Sequence, residues 1–221
     1  MGTDAIPNKT VWDNPKDSRF LNKMTRIIIQ NLFAKGYLRE QDLLLSNEAF
    51  AKKILLITEN MDLEVTIDYR ESLIKHAENC YQLKEYQLAV VIYTMFFEHS
   101  LNNLIHHQGL KRGMDEKDRN DMIRAINIHG KLTWMLPLLD LQKIKSEHRQ
   151  TIEKLVNDRN SHVHYKWKTV EVKVDPLEGE KMLREFKKIR MAVSYFKRYE
   201  SNVLFNKNKR KLINKLAEKG Y

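Results

Sequence analysis

Helix breakers are scarce in this chain: seven glycines and four prolines interrupt 221 residues, and Leu, Lys, Glu, Ile and Asn dominate the rest. Glycine and proline are the residues least compatible with a helix interior, whereas Leu, Lys and Glu are among the better helix formers. Long uninterrupted helices are the economical reading, and the chain is expected to be all-α. Its length suffices for a real core and for one main domain with additions.

Apolar residues recurring at three and four then place the helices. Residues 1–16 mix Pro7, Pro15, Asn8, Asn14 and Asp13 with little periodicity and read as an extended arm that Trp12 pins to the body. A helix follows from residue 17 to Gly36, a left-handed cap, and a second spans 40–60; together they form an N-terminal pair. Residues 66–82 give another amphipathic helix. Residues 86–107 give a long one whose apolar positions cover more than one face, so it should be central and buried. The tract 108–113 reads as a loop between two glycines, 115–128 and 131–141 as short helices with Pro137 bending or ending the latter, and 143–159 as the next helix. Residues 169–175 alternate Val170, Val172 and Val174 with charged residues and predict an extended connector or edge hairpin. Helix returns over 176–205, and 206–221 is a short basic helix or tail. The domain division expected is thus 1–65, 66–205 and 206–221.

The formal net charge of +10 is not spread evenly. Residues 181–221 hold thirteen Lys or Arg against Glu185, Glu200 and Glu218, so the whole excess lies there and the remainder balances. Basic charge gathered at one end favours a polyanionic partner through counterion release, although a solvated cationic helix has the same composition. Lys207, Lys209, Arg210, Lys211 and Lys215 are the candidate nucleic-acid contacts. The single Cys80 excludes an internal disulfide, the first twenty residues lack an apolar signal core, and no apolar run reaches membrane-spanning length. A cytoplasmic protein without a membrane partner is expected.

Polar side chains crowd the stretch that follows the 143–159 helix: Asn157, Asp158, Arg159, Asn160, Ser161, His162, His164, Tyr165 and Lys166. Such crowding is costly in a core and marks a site or a solvated turn. Arg159-Asn160, three residues and His164 together resemble the catalytic signature of the HEPN endoribonucleases. The resemblance covers about residues 66–205 and implies a HEPN-like helical bundle with extra N-terminal helices. Glu98, in the long helix, matches a position where the family frequently carries an acidic residue, and its expected part is to orient Arg159.

The chemistry explains the residue types. Cleavage of RNA without metal uses the ribose 2′-hydroxyl as nucleophile, so a proton must be removed and charge on phosphate stabilised. His164 titrates in the right range, Arg159 presents a permanent charge whose fork fits phosphate, and Asn160 would hold the ring or a phosphate oxygen. On an ideal helix Arg159 and His164 lie about 140° apart, whereas Asn160 and His164 share a face. The resemblance implies the solution, a homodimer whose two motifs face one cleft.

Other readings compete at several residues. In one toxin branch of the family the His is followed by any residue and then Tyr; here Tyr165 adjoins His164 and Lys166 takes the Tyr position. His162 and His164, with His106 and His107, lack Cys or carboxylate at zinc spacing, so no metal or other cofactor is expected. His99 reads as a hydrogen-bonded core histidine, Cys80 as a buried thiol, and Phe96 and Phe97 as packing residues. The function expected is a metal-independent endoribonuclease, a toxin or antiviral-defence effector acting on RNA such as tRNA and held by an antitoxin or sensor protein. The alternatives are a non-catalytic helical module binding RNA, nucleotide or a partner protein, and a plain scaffold.

Overall fold

The computed structural model describes the backbone of residues 15–59, 68–163 and 178–221, with side chains from 22 to 59, 68 to 161 and 179 to 221. The protein is all-α, with no strand among the described residues. The alternating valines of 169–175, Trp12 and the N-terminal arm up to residue 14 lie outside them.

Two compact units form, one from Met1–Leu63 together with Asn208–Tyr221 and one from Glu64–Lys207. The first contains α1 (Pro15–Ala34), a 3-10 turn (Glu40–Leu44), α2 (Asn47–Glu59) and α10 (Lys209–Glu218). Helix α1 closes at Gly36, whose φ of 83° is the left-handed cap expected there, with the Tyr37 amide donating to the Leu32 carbonyl at 2.9 Å. The single helix expected over 40–60 is instead broken at Leu45 and Ser46. Asp42 accepts from the Arg39 amide and from Lys53 Nζ, at 2.7 and 2.6 Å, which ties down a 3-10 turn. Ser46 Oγ then accepts from the Ala49 amide and starts α2 afresh. The basic stretch at the C-terminal end is not a separate tail. Leu212 and Leu216 are buried, Phe50 meets the Tyr221 ring edge-on at 5.9 Å, and Arg26 Nη2 donates to the Tyr221 backbone oxygen at 2.8 Å, so α10 completes the unit begun by α1.

The second unit contains α3 (Arg70–Gln82), α4 (Tyr86–Lys111), α5 (Glu116–Ala125), a mixed helix made of α6 (Ile128–Gly130), a π turn (Lys131–Met135) and α7 (Leu136–Leu138), then α8 (Ser146–Val163) and α9 (Glu178–Leu204). Helix α4 is the centre, packed by α3, α5, α8, α9 and the π turn. Its Tyr93, Phe97, Leu101 and Leu104 are fully buried in one core with Ile152, Leu155, Phe186 and Phe196. Phe96 and Phe97 are packing residues, as their place in an apolar helix predicts.

Helix α4 also corrects two expectations. It runs through the tract expected to be a loop, because Gly109 is buried where the helix meets α5: a Cβ there would lie 2.9 Å from Arg119 Cγ. The true stop is Gly113, at φ 74°. At 26 residues α4 is, by length and composition alone, long and apolar enough to cross a membrane, where the sequence was read as holding no such run; half of its most apolar window is buried within the protein. A third correction concerns the mixed helix, which starts earlier than residue 131. Asn127 Oδ1 accepts from the Gly130 amide at 2.8 Å, and the helix closes one residue after Pro137. His99 proves exposed on α4 rather than buried. Cys80 is half-buried, and burial with Glu85 nearby pushes its thiol pKa up, away from nucleophilic thiolate.

Candidate functional site

The inner stripe of α8 sets Arg159. Ile152 and Leu155 are buried, and one turn beyond Leu155 the apolar stripe gives way to Arg159, still half-buried. Thr94 Oγ1 of α4 lies 3.4 Å from the Leu155 carbonyl. One turn further along both helices, Arg159 Nη1 lies 3.5 Å from Glu98 Oε2, an ion pair rather than a tight hydrogen bond. Arg159 Nε donates to Asn160 Oδ1 at 3.2 Å. The structure thus brings together Arg159, Asn160 and Glu98. A guanidinium has five N–H donors. Two of them are used here among the described residues, which leaves capacity for a further oxygen ligand. His164 lies outside the described residues, as do Tyr165, Lys166 and the His162 side chain; α8 itself is helical through Val163.

Sequence reasoning missed Lys131. It is the first residue of the π turn and only 3 % exposed, with Nζ donating to Asn102 Oδ1 at 2.7 Å. Burial lowers its pKa, and the Glu98 carboxylate acts against that by favouring the ammonium. The same Glu98 therefore faces two cations, Arg159 from α8 and Lys131 from the π turn. Single π turns within α-helices recur at functional sites because they displace one side chain from the regular register. The signal was available: Thr94, Glu98 and Asn102 recur every four residues and lay a polar stripe along a helix whose core positions are largely apolar. A polar stripe in a core helix requires polar partners, and a lysine of the neighbouring segment is one.

Of the remaining sequence-derived residues, Lys209, Arg210, Lys211 and Lys215 belong to the first unit, and Lys207 is the last residue of the second. Lys209, Arg210 and Lys211 are exposed on α10, Lys215 is half-buried there, and Lys207 is exposed in the preceding turn at φ 64°. Lys211 is partly compensated by Glu40, at 3.6 Å. The His106 and His107 rings meet edge-on at 5.8 Å. No group of three or more His, Cys, Asp or Glu among the described residues is placed to hold a metal ion.

Comparison with known proteins finds no matching family model, no matching curated protein and no matching solved structure.

Proposed function

We propose that Glu64–Lys207 is a HEPN-like helical domain that cleaves RNA without a metal ion, and that the protein works as a toxin or antiviral-defence effector in the cytoplasm. The observation that carries this reading is the Arg159 guanidinium at the end of α8, braced by Glu98 and Asn160 and, among the described residues, with donors to spare. In this reading the 2′-oxygen forms a bond to phosphorus as the bond to the 5′-oxygen breaks. His164 takes the 2′-hydroxyl proton, Arg159 neutralises the charge growing on the phosphate oxygens, and water supplies the proton with which the 5′-oxygen leaves. The products are a 2′,3′-cyclic phosphate and a 5′-hydroxyl. Two copies of the chain pair so that two Arg159-Asn160-His164 segments share one cleft. Lys207, Lys209, Arg210, Lys211 and Lys215 add phosphate contacts, and an antitoxin or sensor protein restrains the enzyme.

The test is cleavage of total RNA and of tRNA by the full chain in excess chelator, beside Arg159→Ala and His164→Ala at equal folded concentration. Cutting by the wild type with a loss of about 100-fold or more in each variant is expected. Equal cutting by all three would sink the assignment. RNA binding without cutting by the wild type would replace it with a non-catalytic binding module.

A further inference from the structure

At the opposite end of α8 from Arg159, a cleft of about 520 Å³ opens between the first turn of that helix and the middle of α9. Its size is within the range of small-ligand sites. Its floor is aromatic. His148 is only 8 % exposed and stacks on Tyr195, with ring centroids 4.2 Å apart and planes at 27°. Tyr195 is itself fixed, because its hydroxyl accepts from the Lys145 amide at 3.2 Å.

The walls are cationic. Lys145, Lys187, Arg190 and Arg198 line the cleft against one carboxylate, Glu147. Arg190 is held by Glu78 through two hydrogen bonds, of 2.8 and 2.7 Å, and its guanidinium lies 4.5 Å over the Tyr81 ring. It is a fixed charge rather than a mobile one. Lys145, Lys187 and Arg198 have no ion-pair partner among the described residues, unlike neighbouring Lys197, which pairs with Glu71 at 2.8 Å. Glu147 is largely exposed and lies 3.3 Å from His148 Nε2. Burial first, and then Lys145 and Arg198, keep His148 below its ordinary pKa, while Glu147 opposes this. Like charges gathered in a concavity raise its potential and draw an anion, and the amide groups at the start of the 18-residue α8 add to that field.

We propose that this cleft is a binding site for a phosphate group, held by Lys145, Lys187 and Arg198 above the His148–Tyr195 stack. It is independent of the nuclease reading, since none of its residues belongs to the Arg159 site. A phosphate here comes from one of two sources, the terminal phosphates of a free nucleotide or a phosphodiester of a single strand.

The experiment is a titration of the full chain with adenosine triphosphate and, separately, with a short single-stranded DNA, which lacks the 2′-hydroxyl and stays intact. The His148 ring resonance is followed by NMR and affinity by calorimetry. The same titrations use Lys187→Gln/Arg198→Gln, whose side chains are exposed, with its melting temperature checked against wild type. The expected result is a moving His148 resonance with at least one probe and affinity weakened about tenfold or more in the double variant. Response to the nucleotide identifies terminal phosphates as the source, and response to the strand alone identifies a phosphodiester. A His148 resonance still under both probes, or a double variant that binds as the wild type does, overturns the proposal.

Discussion

Replacing Glu78 with alanine should unsettle the α3–α4–α9 packing out of proportion to its place near the surface. Its carboxylate accepts from the hydroxyl of Tyr93, a residue with no exposed area, and holds Arg190 through two hydrogen bonds. Stripping the buried hydroxyl of its acceptor costs about 1–3 kcal/mol. The Arg190 pair is about one-third exposed on each side, so solvent compensates and the loss there is about 0.5–1 kcal/mol. The total is about 1.5–4 kcal/mol. For a unit of about 144 residues, whose unfolding entropy is about 0.3 kcal/mol per kelvin, the melting temperature falls by about 5–13 °C. Urea unfolding with native-state hydrogen exchange of the α3 and α4 amides reads the loss. In a Tyr93→Phe background no hydroxyl is left wanting, and Glu78→Ala should then cost only about 0.5–1 kcal/mol. A single-variant loss below about 0.5 kcal/mol, or the same loss in both backgrounds, would refute the reasoning. The pH sign follows from the same contacts. Arg190 first, then the Tyr93 hydroxyl, hold the Glu78 pKa below its ordinary value against the opposing pull of burial. Its contribution is therefore present in full above the ordinary carboxylate range, and it fades as pH falls through the depressed folded-state value. Glu78→Ala should lack that part of the acid sensitivity.

Two further outcomes follow from named contacts. Glu98→Ala removes a pair whose partners are 27 % and 38 % exposed, a loss of less than about 1 kcal/mol, to which its weaker attraction for the buried Lys131 ammonium adds. RNA cleavage, in the proposed reading, drops about 10–100-fold through a misplaced Arg159, with the rate partly restored by Glu98→Gln. Leu216→Ala, at a fully buried position, costs the first unit about 2–4 kcal/mol and speeds hydrogen exchange throughout α10; unchanged exchange there would show that the helix is not packed as described.

Much of the helical layout is legible in the residues. Periodicity locates α1, α3, α4, α8 and α9 to within a few positions, and Gly36 marks its turn because only a residue tolerant of positive φ fits there. The misses share a cause, in that tertiary contacts override a local signal. Gly109 looks like a breaker yet is needed where Arg119 crosses closely; Lys131 looks like a surface lysine yet is buried against Asn102; His99 sits on an apolar helix yet points outward. At the candidate site, the residue types announce Arg159 and Asn160, and the Glu98 contact requires two helices to cross at one level. The four-residue polar stripe on α4 is the piece of sequence that anticipates it.

The make-up of the first unit bears on the order in which the protein is made. Helices α1 and α2 emerge from the ribosome early, but the strip that buries Leu212 and Leu216 emerges only after all of Glu64–Lys207. During synthesis the nascent N-terminal helices must wait with apolar residues such as Phe50 uncovered, while the larger unit between them and α10 can already fold. That interval is when chaperones or proteases would meet them, and a ribosome stalled before residue 208 would leave the middle of the protein finished and its beginning incomplete.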